Sequence, residues 1–250
     1  MNKEGGFALI AVLWLITTLV AIVGLQLAAT RVGQQASINR LILLRGRWAA
    51  EACLAIVQAR WHAQRLTDTA TVDLGNRTAC GWHVDDPGAR INLNTADGET
   101  LARLLGDSLL VAWILEARRA TPFASVSQIG GQYEDLLTVD GPDAVNLNAA
   151  SGRVLAALPG LGGEAVERIV SRRLVRPIGS LDDLADLLSP PAREMLLARI
   201  ADLARVAGFG PSRLRVTATG WVDGRAPRAN IEVTTVPMPE RLAVVRRRMW

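Results

Sequence analysis

The first residues of the chain decide its fold class and read, over residues 1–29, MNKEGGFALIAVLWLITTLVAIVGLQLAA. Residues 7–29 carry no charged side chain and lack the polar stripe that a buried helix of a soluble protein shows. At about 1.5 Å per residue this run can cross the roughly 30 Å hydrocarbon core of a bilayer. The apolar region of a secretory signal peptide is shorter, at roughly 7–15 residues. The run therefore predicts a membrane-spanning helix.

The short segment in front of this helix resembles a type IV prepilin leader. Residues 1–6 are mostly polar and end in two glycines, and Phe7 opens the apolar run. The resemblance implies that a prepilin peptidase cuts after Gly6, so that Phe7 becomes the first residue of the mature chain. A glycine backbone without a side chain fits closely into a protease cleft.

The charges around the predicted span favour an orientation opposite to the one that the leader resemblance implies. Lys3 is the only basic side chain in front of the span, whereas Arg31, Arg40, Arg45 and Arg47 follow it. This excess by itself would place the following segment in the cytoplasm. The leader resemblance requires the reverse, because its peptidase acts on the cytoplasmic face. We therefore expect a single-pass protein of the bacterial inner membrane, with a cytoplasmic N-terminus and the bulk of the chain in the periplasm.

The composition argues against an enzyme and against a disulfide-rich scaffold. Hydrophobic residues make up 50% of the chain and charged residues 21%, which is enough hydrophobe for a packed core. Two cysteines are too few for a disulfide framework or a four-thiolate metal site. The two histidines, His62 and His83, are isolated and lie near no nucleophile motif. The net charge of +4 permits an anionic partner without demanding one.

The predicted helix continues beyond the membrane, because no proline occurs between residues 31 and 64. An apolar stripe recurs there at intervals of three and four residues. Its members are Leu41, Leu44, Trp48, Ala52, Ile56 and Ala59. We predict one stem helix to about residue 65, with residues 7–29 in lipid. Residues 30–65 are expected to pack this stripe on a soluble domain.

An internal repeat occupies the middle of the chain. The sequence INLNTA at residues 91–96 returns as VNLNAA at residues 145–150, 54 positions later. Each copy is followed by an apolar-periodic helix and an arginine-bearing second helix, which defines repeats over residues 91–139 and 145–189. Asn94 and Asn148 stand where helix N-caps are wanted. We therefore predict an all-α domain over residues 91–206.

The second repeat contains LPGLG at residues 158–162, which resembles the hairpin of a helix–hairpin–helix element. In that element two glycines, here Gly160 and Gly162, let backbone amides approach a phosphate. A membrane-anchored DNA receptor of the competence type is therefore the alternative function, and it predicts salt-dependent duplex binding. Asp107 and Glu164 beside the two hairpins, and the lack of a basic run after either, disfavour nucleic acid.

Strand signals flank the helical region on both sides. Short β-permissive stretches occur within residues 66–90, and alternating apolar patterns with a turn at Asp223 and Gly224 occur within residues 207–250. We predict an α+β protein whose small antiparallel sheet packs on the stem helix. The helical domain is expected to interrupt this sheet in sequence but not in space.

The order of these segments resembles protein K, a minor pseudopilin of the type II secretion system (the general secretion pathway protein K or GspK family), over nearly the whole chain. That family has a pilin-like fold with an all-α insert. Pilin-like proteins usually carry a glutamate at the fifth mature position, where this chain has Ala11. The departure is a feature of protein K. It suits a subunit that caps the pseudopilus tip and primes its assembly for protein export across the outer membrane.

The same resemblance implies partners and a cofactor. The partners would be the minor pseudopilins called proteins I and J, the major pseudopilin, the inner-membrane assembly platform, the prepilin peptidase and membrane lipid. Relatives of protein K bind calcium in the helical domain, and oxygen-rich clusters suit that ion. The carboxylates of this chain follow no ligand spacing that identifies a metal site, so the metal ligands stay unknown.

The two cysteines are candidates for a disulfide in an oxidising periplasm. Cys53 lies on the predicted stem helix, and Cys80 lies in the first strand segment. A bridge between them would restrict the unfolded chain and stabilise the fold by roughly 3 kcal/mol. Two unrelated buried thiols are the alternative.

Overall fold

A single long helix forms the N-terminal part of the protein. The computed structural model describes residues 4–63, 68–224 and 228–250, and for residues 4–11 it describes the backbone alone. Helix α1 covers Glu4–His62, which is 59 residues and about 88 Å. It begins inside the segment that resembles a leader and ends close to the predicted residue 65.

The face of α1 that packs on the rest of the protein differs from the predicted stripe. Leu41, Leu44 and Trp48 are 60%, 51% and 74% exposed, so this part of the prediction is wrong. The buried face is instead made mainly of small residues, which let the helix approach the sheet closely. Its members are Ile42, Gly46, Ala49, Ala50, Cys53 and Val57. Apolar spacing predicted a helix but could not identify which of two neighbouring apolar arcs faces the sheet.

A β-hairpin follows the helix. Strand β1 (Thr69–Gly75) pairs antiparallel with β2 (Thr78–Asp85). Gly75, Asn76 and Arg77 have positive φ angles of 82°, 51° and 60° and reverse the chain between the strands. The hairpin lies within the first predicted strand segment.

The insert contains both predicted repeats, each closed by a short parallel strand pair. The first repeat comprises β3 (Ile91–Asn92), α2 (Gly98–Leu105), α3 (Ser108–Ala120) and β4 (Leu137–Thr138). The second comprises β5 (Val145–Asn146), α4 (Gly152–Ala157), α5 (Gly163–Arg173), α6 (Leu181–Ala185), α7 (Pro190–Ala198), α8 (Ile200–Val206) and β6 (Ala207–Gly208). The region is therefore helical but not purely so. Because β6 pairs with β5, the second repeat extends to Gly208 rather than to residue 189.

Three C-terminal strands complete the sheet. These are β7 (Leu214–Val222), β8 (Ala229–Pro237) and β9 (Leu242–Met249). The antiparallel order is β1-β2-β7-β8-β9, so β2 and β7 are neighbours although the insert separates them in sequence. The α+β prediction and the interrupted sheet are confirmed. Each half has its own buried core, one inside the insert and one between α1 and the sheet.

Candidate assembly site

The N-terminal half of α1 is an apolar surface without a partner in the described part of the chain. The helix from Val12 onward contains an 18-residue window with a mean hydropathy of 2.2, none of which is buried within the protein. It is long and apolar enough to cross a membrane. Gly6, Phe7 and Ala11 lie on the helical backbone, but their side chains are outside the described part.

Hydroxyl groups within this apolar segment are satisfied inside the helix. The Thr17 hydroxyl donates to the carbonyl oxygens of Leu13 and Trp14, both at 3.0 Å. Thr18 donates to the Trp14 carbonyl at 2.7 Å. Because each hydroxyl bonds to a carbonyl one turn earlier, neither needs a water partner. The polar threonines are therefore compatible with a lipid environment.

The apolar surface continues along the outer face of α1 beyond the predicted span. Ile38, Leu41, Leu44 and Trp48 are all exposed on the part of the helix that carries the sheet on its other side. Contiguous exposed apolar surface of this kind typically marks a contact site. The helix can therefore offer one long apolar face to other helices.

A disulfide ties this stem to the sheet. The sulfur atoms of Cys53 on α1 and Cys80 on β2 are bonded, with the two Cα atoms 6.0 Å apart. Both residues are fully buried. The bridge therefore lies inside the core between helix and sheet, where it resists separation of the two.

The repeated asparagines do not cap helices, which corrects the prediction for Asn94 and Asn148. The Asn94 side chain accepts from the Phe123 amide at 2.8 Å and donates to the Phe123 carbonyl at 3.0 Å. Asn148 makes the same pair with Ile178, at 2.8 and 2.9 Å, and also donates to the Phe209 carbonyl at 2.7 Å. Each side chain thus binds the backbone after the arginine-bearing helix, as a neighbouring strand would.

The residues that do cap these helices stand three positions later. Asp97 accepts from the Thr100 amide at 2.7 Å at the start of α2. Ser151 accepts from the Val154 amide at 3.3 Å at the start of α4. Both are good N-cap residues, and an apolar residue follows each within the first turn. The sequence therefore contained suitable N-cap residues at these positions. The prediction assigned the caps to the asparagines instead, because the asparagines belong to the repeated motif.

Partly buried arginines complete the same framework in both repeats, and the sequence analysis did not assign them this role. Arg118 donates to the Leu93 carbonyl at 3.0 Å. Arg173 donates to the carbonyls of Leu147 and Ala150 at 3.3 and 2.6 Å. Burial lowers the pKa of both guanidinium groups. The two arginines follow the INLN and VNLN motifs at similar distances in the sequence, and this spacing could have indicated their shared role.

A carboxylate lies at the helix start beside each hairpin. The Asp107 carboxylate accepts from the amides of Leu109 and Leu110, both at 3.0 Å, at the start of α3. Glu164 on the first turn of α5 accepts from the Ser189 amide and hydroxyl at 2.9 and 2.7 Å. The Ser189 hydrogen bonds lower the pKa of Glu164 and keep it charged. A phosphate would therefore meet a carboxylate at either helix start.

The glycines of the second hairpin face a helix of the same chain. Gly160 has a φ of 76°, and a Cβ there would come within 3.1 Å of the Arg199 Cβ. A Cβ at Gly162 would lie 3.2 Å from the Met195 sulfur on α7. These glycines let α7 pack across the hairpin. They therefore serve intramolecular packing in the structure.

Two acidic residues at the start of the insert are engaged by protein groups. Asp86 accepts from the Asn146 amide group at 2.7 Å and from the Gly88 amide at 2.8 Å, and burial raises the pKa of its carboxyl. Asp85 pairs with Arg90. Within the described ranges, no three histidine, cysteine, aspartate or glutamate side chains converge on one point.

Comparison with known proteins shows which fold this is. No protein-family model matches the chain, and no curated protein matches it. Among solved structures, a chain from the crystal structure of the GspK-GspI-GspJ complex of the enterotoxigenic Escherichia coli type 2 secretion system superposes with a TM-score of 0.60. The identity is 13%, and the match covers 88% of this chain and 99% of that one. The protein therefore has the pilin-like fold of a pseudopilin.

Proposed function

We propose that the protein is a minor pseudopilin of a type II secretion system that caps the pseudopilus tip and primes its assembly for protein export across the outer membrane. The observation that carries the proposal is the pilin-like architecture with a large helical insert between the neighbouring strands β2 and β7. A solved chain from a minor-pseudopilin complex is similar to this chain over 99% of its own length.

The residue at the fifth position after the proposed cleavage supports a terminal place in the filament. Counted from Phe7, this position is Ala11, which has no carboxylate. In a lipid environment a glutamate there would require a cationic partner, such as the N-terminal ammonium of an adjacent subunit. A subunit with alanine forms no such pair with a subunit above it. It can therefore end a filament.

The size and position of the insert also support a terminal place in the filament. The insert joins β2 to β7 and has its own hydrophobic core outside the sheet and stem. A filament interior requires the soluble domains of successive subunits to stack closely. A second packed body beside the sheet obstructs that stacking but has room at an end.

The proposed surroundings follow from this role. The stem helix would cross the inner membrane once, with its N-terminus in the cytoplasm and the sheet and insert in the periplasm. Its apolar outer face would contact proteins I and J and the major pseudopilin. The assembly platform and the prepilin peptidase would act on the membrane segment. The proposed role is one of binding, not of chemistry.

Replacement of Gly6 by aspartate tests the processing step. In cells with the peptidase, we expect the wild-type chain to begin at Phe7 when sequenced from its N-terminus. The Gly6→Asp chain should retain Met1, because an aspartate does not fit the cleft that accepts glycine. Gly5→Ala is the matched control and should still yield Phe7. A mature chain starting at Phe7 in the Gly6→Asp variant would contradict the leader assignment.

The position in the filament has a separate test. An epitope label on this subunit should mark one end of isolated pseudopili, together with the minor pseudopilins. A label spread evenly along the fibre would overturn the capping role while leaving the processing step intact.

A further inference from the structure

A cationic groove lies on the face of the sheet that points away from α1. It has a volume of about 320 Å³ and runs between strands β7–β9 and the insert, where Pro87 and Asp140 border it. Its lining includes Arg213, Arg215, Arg246 and Arg248, but only two carboxylates, Asp140 and Glu232. This groove is not part of the stem or of the repeats.

The strand register brings these arginines together from distant parts of the sequence. Thr234 on β8 lies between Arg215 on β7 and Arg246 on β9. In the next row Glu232 lies opposite Arg248. Directly paired side chains on one face are about 5 Å apart at Cβ, so the guanidinium groups share one small surface.

Three of the four groove arginines have no carboxylate partner among the residues that the structure describes. Arg215 is held by Asp140 at 3.3 Å and by Asp85 at 3.8 Å. In the described part of the chain, no carboxylate oxygen lies within 4.0 Å of Arg213, Arg246 or Arg248. By contrast Arg247, on the opposite face of β9, pairs with Glu51 of α1. The unpaired charges of β9 therefore lie on its groove side.

Strand β9 also offers backbone groups. It is the last strand of the sheet, and no other described strand pairs with its outer edge. Such an edge can accept an extended peptide as an additional strand. In an added strand, alternate side chains would lie on the groove face beside Arg246 and Arg248. Carboxylates suit these positions because guanidinium binds them with two parallel hydrogen bonds.

The groove is too far along the stem for the lipid of the membrane that α1 crosses. Arg247 contacts Glu51, which follows the end of the uncharged run at Ala29 by 22 residues. At about 1.5 Å per residue this corresponds to about 33 Å along the helix. A lipid headgroup at the end of the span therefore does not reach the groove, which favours a protein ligand.

We propose that the groove binds an extended acidic segment of a partner protein, which adds to the edge of β9 and places carboxylates on Arg246 and Arg248. The proposal rests on the groove and on its distance from the apolar segment of α1, and it does not depend on the secretion role. It assigns a binding surface to the outer face of the sheet, which the stem and the insert leave open.

The test uses the full chain in a non-ionic detergent and a fluorescent peptide of four Glu-Thr repeats, whose glutamates share one face when extended. Binding is followed by fluorescence anisotropy at about 150 mM NaCl, where long-range attraction is largely screened. The groove variants are Arg246→Glu with Arg248→Glu, and Arg246→Gln with Arg248→Gln. The control is Arg172→Glu with Arg176→Glu, which makes the same charge change in the last turn of α5 and just beyond it. Thermal unfolding checks that each variant is folded.

We expect saturable binding by the wild type, about tenfold weaker binding by both groove variants and a change of less than about twofold in the control. A peptide with proline at every second position should bind about fivefold more weakly, because it cannot pair with β9. Equal weakening in groove and control variants would overturn the proposal, since net charge alone would then explain the binding. Loss of binding to soluble glycerol phosphate, but not to the peptide, in the groove variants would identify a phosphate ligand and also overturn it.

Discussion

Replacing Gly220 by alanine should push α1 away from the sheet. Gly220 is on β7, where the strand passes under the small residues of the stem helix. A Cβ added there would overlap the Gly46 carbonyl oxygen and would lie 2.5 Å from the Ala50 amide nitrogen and 2.9 Å from the Ala49 Cβ. Two of these contacts are with backbone atoms, so no flexible side chain can move aside.

The size of the effect follows from this geometry. To restore an ordinary contact of about 3.5 Å with the Gly46 carbonyl oxygen, the helix must retreat by about 1.6 Å at this point. The retreat would loosen Ala49, Ala50 and Cys53, which are buried against the sheet. Overpacking of a core usually costs about 1–3 kcal/mol, and a backbone contact lies at the upper end of that range. At about 2–4 °C per kcal/mol, we expect the Tm to fall by about 6–12 °C.

Thermal unfolding of the full chain in detergent, followed by circular dichroism, measures this effect. The matched control is Gly163→Ala, because a Cβ at Gly163 meets no atom within 4 Å and the residue lies at the start of a helix. Gly46→Ala is an intermediate case, since its Cβ would lie 2.9 Å from the Gly220 carbonyl oxygen and alanine favours a helix. A Gly220→Ala protein that melts within about 2 °C of the wild type would refute the close helix–sheet contact.

Two further perturbations test the anchoring of the stem and the framework of the insert. Replacing Cys53 and Cys80 together by serine should cost about 3–4 kcal/mol, because the bridge joins residues 27 apart in sequence. The Tm of this double variant should not respond to a reducing agent. A double variant with the same Tm as the wild type would contradict the stabilising role of the bridge. Asn148→Ala should cost about 2–3 kcal/mol in urea unfolding and Asn94→Ala about 1–2, because the former loses three hydrogen bonds and the latter two. A larger loss for Asn94 would show that the two repeats do not share one framework.

Features that depend on local sequence were predicted well. The interrupted sheet, the turn at Asp223 and Gly224 and the two repeats all occur where pattern and turn chemistry indicated. The repeats were found because their motifs recur at a fixed spacing, which needs no knowledge of packing. The end of the second repeat was missed, since its closing strand β6 has no pattern of its own and is defined by pairing with β5.

Features that depend on side-chain partners were predicted less well. Asn94 and Asn148 have the right chemistry for an N-cap, but their amides bind backbone 29 and 30 residues away. Each asparagine meets its partner only after the two helices between them have folded back, so the sequence does not show the pair. The same holds for Arg118 and Arg173, whose carbonyl partners precede them by 23–26 residues.

The amino-acid sequence alone determined that the chain has an uncharged helix long enough for a membrane, a duplicated helical unit and strands on both sides of it. These are properties of neighbouring residues, namely their hydropathy, spacing and turn preference. Only the tertiary structure decided which face of α1 the sheet covers and which arginines meet on the opposite side of the sheet. Those outcomes depend on helix rotation and strand register, which are set by contacts between residues far apart in the chain.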